Sequence, residues 1–137
     1  NIDVVITSPL KRTIETIRPF LEKNPKINHI ISKLTLERDA GKLTDKPISV
    51  LEELREKLSD RDKVSFKPKK GESILDVYER AREFTSYLKG NLKGKTILIC
   101  GHKNFLMCLE VALTKKDIWE YYSYIPLKNK EIREFKI

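Results

Sequence analysis

The sequence predicts an α/β domain, a mostly parallel sheet flanked by helices on both faces. Three observations carry that expectation. Continuous apolar runs such as Thr96-Ile97-Leu98-Ile99-Cys100 read as strands buried on both sides. Segments with apolar residues at helical spacing lie between those runs. Strand and helix alternate, which calls for crossover connections and parallel pairing. A length of 137 residues suits one unit, so residues 1–137 are read as a single domain without repeats, linkers or low-complexity tracts.

Each element has its own signal. Ile2 to Thr7 is a strand. Ser8 is placed to cap the following helix, with Pro9 at its first position, where a missing N–H costs nothing. That helix runs to about Lys23 and buries Leu10, Ile14, Ile17 and Leu21, with Pro19 marking a kink or early stop. Ile27 to Ser32 is a second strand, Asp39 to Pro47 a polar loop, and Val50 to Leu58 a short amphipathic helix. Ser73-Ile74-Leu75-Asp76 has the form of a capping box, opening a longer helix to about Leu88 that Gly90 and Gly94 end. Lys95 to Gly101 is the clearest buried strand, followed directly by a helix from Phe105 to Leu113. Ile132 to Ile137 is expected to close the sheet as an edge strand.

Composition removes several function classes. With 39% hydrophobic residues the chain is too apolar for disorder, and no run approaches the ~20 residues of a membrane helix. Cys100 and Cys108 have neither zinc spacing nor disulfide-framework numbers, so they are read as reduced thiols of a cytoplasmic protein, and no metal site is expected. The net charge of +8 raises nucleic-acid binding, but most cations alternate with acids. The one dense basic run, Lys67-Pro68-Lys69-Lys70, lacks aromatics to stack on bases, so no nucleic-acid partner is expected.

In parallel sheets ligands bind beyond the C-terminal strand ends. Two such ends carry suitable groups. Thr7-Ser8-Pro9-Leu10-Lys11-Arg12 puts an Arg one turn into a helix, where N–H groups and a guanidinium fork clamp phosphate. Cys100-Gly101-His102-Lys103-Asn104 puts a His at a strand-to-helix turn. Taken alone, Arg12 reads as a surface residue as readily as a ligand, and neither motif decides.

Together they resemble the histidine phosphatase superfamily, which includes the phosphoglycerate mutases. Ser8-Pro9-Leu10-Lys11-Arg12-Thr13-Ile14-Glu15-Thr16 is similar to its "SPLxRAxxT" element, and Glu37-Arg38-Asp39-Ala40-Gly41 to its "ExxxG" loop. Gly71-Glu72-Ser73 with Asp76 and Arg80 resembles "GESxxDxxxR", and Gly101-His102 the second histidine motif; Asn129 to Phe135 resembles the closing strand. The elements occur in the family's order across essentially the whole chain.

The resemblance implies a phosphomonoester phosphatase in which a nucleophilic His becomes phosphohistidine. It assigns Arg12, with Ser8 and Asn104, to the substrate, His102 to the developing phosphoryl charge, and Glu37 to general acid and base, with no metal or cofactor. The partner is then a phosphorylated small molecule, with a homodimer as the expected protein contact. Alternatives are a phosphoglycerate mutase, disfavoured by the short segment 38–70, and a phosphate-binding regulatory domain.

Three departures qualify the match. The family's Arg-His-Gly motif has no counterpart before Ser8, and His29, beside no Arg-Gly pair, reads as structural. Lys103 stands where a Gly is usual, and Asp45 where the loop often has a second Gly. The only Met is Met107 and the chain enters a strand at once, so the domain is expected to begin partway, without its nucleophile and first strand. That leaves an edge of the Lys95–Gly101 strand expected to be unpaired.

Overall fold

The computed structural model describes residues 1–137. Three parallel strands, β1 (Val4–Thr7), β2 (Asn28–Ile31) and β3 (Ile97–Cys100), form a sheet in the order β2-β1-β3. Their register is level: Thr7 lies opposite both Ile31 and Cys100, so the three C-terminal ends finish on one line. Between and after them come α1 (Lys11–Lys23), α2 (Ile48–Glu56), α3 (Asp60–Ser65), α4 (Ile74–Asn91) and α5 (Lys103–Thr114). None of these helices is long and apolar enough to cross a membrane.

The central strand shows why both faces are covered. All four residues of β1 are buried. Val4 and Ile6 join the main core with Val77, Phe84, Phe105 and Cys108 of α4 and α5, while buried Val5 lies outside that cluster, as does Ile17 of α1. Alternating side chains of a strand point to opposite faces, so a continuous apolar run needs helices on both. Phe84 meets Phe105 edge-to-face at 5.7 Å, locking α4 to α5.

The capping box at α4 is present in full: Ser73 accepts from the Asp76 N–H, and Asp76 accepts from the Ser73 N–H at 2.8 Å. Pro19 sits inside α1 without ending it, since the helix continues to Lys23. Gly90 does not end α4, which runs on to Asn91. Two further expectations are corrected. The first helix starts at Lys11, with Leu10 at its N-cap, so Ser8 and Pro9 precede it. The reason is that the Ser8 hydroxyl is engaged elsewhere, as described below.

The second correction concerns Ile132 to Ile137, which form no strand. Arg133 instead binds Glu110 of α5 at 2.7 Å and Glu131 at 2.8 Å, and Glu131 closes a turn on the Lys128 N–H. These contacts hold the segment against α5. Ile132 and Ile137 stay exposed, and β3 keeps one edge unpaired. Sequence reading also overlooked α3 and the 3-10 turn Ile118–Ser123, which pack on each other through Arg61 over the Trp119 ring.

Candidate active site

Because the strand ends are level, the segments leaving them start side by side. β1 delivers Ser8 and Arg12, β2 leads through Ser32 and the turn Lys33–Thr35 to Glu37, and β3 delivers His102 and Asn104. Ser32 steadies that turn by accepting the Leu34 N–H. His102 occupies the N-cap of α5, yet its side chain does not cap the helix. It is turned towards β1.

The hydrogen bonds around His102 fix its protonation. Arg12 donates Nε–H to Nδ1 at 3.1 Å, and a guanidinium cannot accept, so Nδ1 carries a lone pair. The proton is therefore on Nε2, 2.7 Å from the Ser8 hydroxyl. That hydroxyl also accepts the Leu10 N–H, which leaves its own proton for Thr13 Oγ1 at 3.0 Å. Thr13 passes its proton to the Leu10 carbonyl at 2.9 Å. Every donor in this chain has an acceptor, and Ser8, Thr13 and His102 are all buried. Burial, and then the Arg12 charge, hold the His102 imidazole below its ordinary basicity.

Glu37 stands on the other side of α5's N-terminus. Its carboxylate accepts the Arg38 N–H at 2.8 Å and the Asn104 N–H at 3.4 Å, and it makes no salt bridge. Anions are favoured at such a helix end. The loop around it is tied down by cations. Arg80 of α4 pairs bidentately with Glu72 and donates to the carbonyls of Leu34 and Leu36. Arg38, its basicity lowered by burial, donates to the carbonyls of Glu72 and Phe66.

Gly41 explains the end of the "ExxxG" element. Its φ of +55° is a left-handed conformation, and a Cβ there would lie 2.4 Å from the Lys69 carbonyl oxygen. The loop bearing Glu37 and the loop leading into α4 can approach only because both positions 41 and 71 lack side chains.

The structure thus brings Arg12, His102, Glu37, Ser8 and Asn104 to one end of the sheet. Arg12 is exposed with its terminal guanidinium nitrogens free of ion pairs, whereas Ser8 is wholly buried and faces His102. Asn104 is half-buried, its Oδ1 accepting from Tyr121 O–H at 2.8 Å. His29 lies apart, hydrogen-bonded to Thr7 Oγ1 at 2.9 Å within the sheet. No three His, Cys, Asp or Glu side chains are grouped to hold a metal. Cys108, whose thiol burial pushes up to about 12, and half-buried Cys100, also raised by burial, are poor nucleophiles. Thr13, Tyr121 and Arg38 carry no sequence signal of their role, because each contact depends on tertiary placement.

Comparison with known proteins adds a family. The sequence model of the histidine phosphatase superfamily (branch 1) matches residues 1–137. Phosphoserine phosphatase 1 of Hydrogenobacter thermophilus is 26% identical over 130 residues, covering 90% of this chain and 60% of that protein. A mycobacterial glucosyl-3-phosphoglycerate phosphatase superposes with a TM-score of 0.75 at 18% identity, over 93% of this chain and 64% of its own. YhfR of Bacillus stearothermophilus superposes at 0.76 with 21% identity and the same two coverages. These superpositions show a shared fold. The chain spans less than two thirds of each of these relatives.

Proposed function

The chain belongs to the histidine phosphatase superfamily, and from that premise we propose a phosphomonoester phosphatase that works through a phosphohistidine. The observation that carries this reading is the Arg12–His102 contact at 3.1 Å beside the Glu37 carboxylate on the N-terminus of α5. Arg12 offers a fork to two phosphoryl oxygens. When it turns to the phosphoryl group, His102 Nδ1 is released and takes up a proton from solvent, while Nε2–H stays on Ser8. His102 then donates through Nδ1 to the charge developing at phosphorus. Ser8 acts here by holding the tautomer. Glu37 protonates the leaving oxygen and then accepts a proton from the water that hydrolyses the phosphohistidine.

The attacking nitrogen comes from outside these residues. His102 is committed to Ser8 and Arg12, and His29 to Thr7 within the sheet. We assign the nucleophile to an Arg-His-Gly segment preceding residue 1, on a strand along the free edge of β3. In a chain lacking that segment, a second copy takes its place on that edge. The substrate is a small phosphorylated alcohol, the class to which the phosphoserine named for the curated relative belongs. Two free thiols suit a reducing cytoplasm. A phosphate-binding domain without turnover is the second reading, favoured by the engagement of both histidines.

Calorimetry with orthophosphate in the presence of a chelator tests the site. Binding is expected for the chain extended by that segment, and Arg12→Gln is expected to weaken it at least tenfold, the value of one charged hydrogen bond of ~1.5–3 kcal/mol. Affinity that appears only with added divalent ion, or survives Arg12→Gln, contradicts the reading.

A further inference from the structure

Glu37 has no side-chain cation to hold it. Its carboxylate touches only two backbone N–H groups, one of them on the next residue and the other as far as 3.4 Å. Its position is therefore set through its backbone, and one ion pair fixes that backbone on both sides. Arg80 donates to the Leu34 carbonyl at 2.7 Å, to Leu36 at 3.0 Å and to Glu37 itself at 3.5 Å. The same guanidinium binds both oxygens of Glu72 at 2.9 Å, and Glu72 accepts the Asp39 N–H at 3.0 Å. Four backbone groups from residue 34 to residue 39 thus converge on Arg80 and Glu72. Both partners are mostly buried, with side chains 18% and 25% exposed.

We infer that Arg80 and Glu72 are positioning residues that aim Glu37 at the leaving oxygen; this rests on the general-acid reading of Glu37. Pairing with Glu72 holds the guanidinium in place while its N–H groups reach the backbone. Glu37 is otherwise faced by His102 and Asn104 of α5, by Arg38 next in its own loop, and by the buried Cys108 and Tyr121. Cys108 and Tyr121 stay neutral, since burial raises both.

The test uses the chain extended by its nucleophile segment, assayed on an alkyl phosphate and on nitrophenyl phosphate, with Glu37→Gln as reference. Loss of the acid slows the alkyl ester most, because only its leaving oxygen needs a proton. Arg80→Lys is expected to slow the alkyl ester on the order of 10–100-fold, the scale of a misplacement near 1 Å, with little effect on the nitrophenyl ester. In the Glu37→Gln background it should add nothing on the alkyl ester. Glu72→Gln weakens the hold on Arg80 and on the Asp39 N–H, and is expected to slow the alkyl ester more than the nitrophenyl ester and to add nothing in the Glu37→Gln background. Should Arg80→Lys fail to fold, Glu72→Gln carries the test alone.

Equal losses on both esters in Arg80→Lys or Glu72→Gln, or additivity of either with Glu37→Gln, overturn the inference. Equal losses in Glu37→Gln itself overturn the acid role and this inference together. Leaving-group dependence in Glu37→Gln with none in Arg80→Lys removes the inference alone.

Discussion

At His102 the two ring nitrogens have separate partners, and the proton count follows from one of them. Arg12 can only donate, so His102 is neutral in the resting site and its Nε2–H belongs to Ser8. A neutral imidazole beside a cation titrates below its ordinary value near 6.5, and the folded protein then binds fewer protons than the unfolded chain below that pH. Stability associated with His102 is therefore present above about pH 6.5 and declines as the pH falls towards the folded value. Nitrogen-15 NMR should show the Nε2–H tautomer at neutral pH and a depressed pKa. Arg12→Gln should raise that pKa, because it removes a neighbouring charge; an unchanged titration would separate Arg12 from His102. Ser8→Ala leaves Nε2–H without its acceptor, and thermal unfolding should report a loss of ~1–3 kcal/mol. The spacing of Ser8, Arg12 and His102 is visible in the sequence. The turn of Ser8 towards His102 is not, since the same residue also reads as a helix cap.

Helix starts and close loop contacts set the site at the next scale up. Ser73→Ala removes the capping box of α4 and should cost ~1 kcal/mol, a fall of about 3–5 °C in Tm. A larger loss is expected for Gly41→Ala, whose Cβ would meet the Lys69 carbonyl oxygen at 2.4 Å and whose φ is positive. That variant should also lose phosphate-independent rigidity in the Glu37 loop, seen as faster amide exchange of Asp39, because the two loops can no longer touch. A Gly41→Ala protein with unaltered Tm would show that the approach is not required. The long α4 was legible because burial imposes its pattern. The strand Ile97–Cys100 was legible from its apolar run, yet its four residues are only half-buried, because β3 lies at the sheet edge. The short α3 was not, since its six residues bury only Val64 and depend on Trp119 and Tyr122 for their seat.

Across the whole molecule, a three-stranded sheet with β3 at one edge ties the fold to the chemistry. The expected closing strand failed because its residues found partners on α5, a choice that periodicity cannot reveal. A free edge on an apolar strand recruits another strand. The 137-residue chain should therefore self-associate with rising concentration in light scattering, and an extension carrying the nucleophile segment should suppress this and protect β3 amides from exchange. A chain that stays monomeric at every concentration would argue that β3 is not waiting for a strand. The most direct test of the account is trapping of the phosphoenzyme by rapid quench with a labelled phosphomonoester. The extended chain should yield an acid-labile, base-stable phosphohistidine on the added segment, whose breakdown slows in Glu37→Gln, and residues 1–137 alone should yield none. Label on His102 or His29, or turnover with no phosphoenzyme at all, would contradict it.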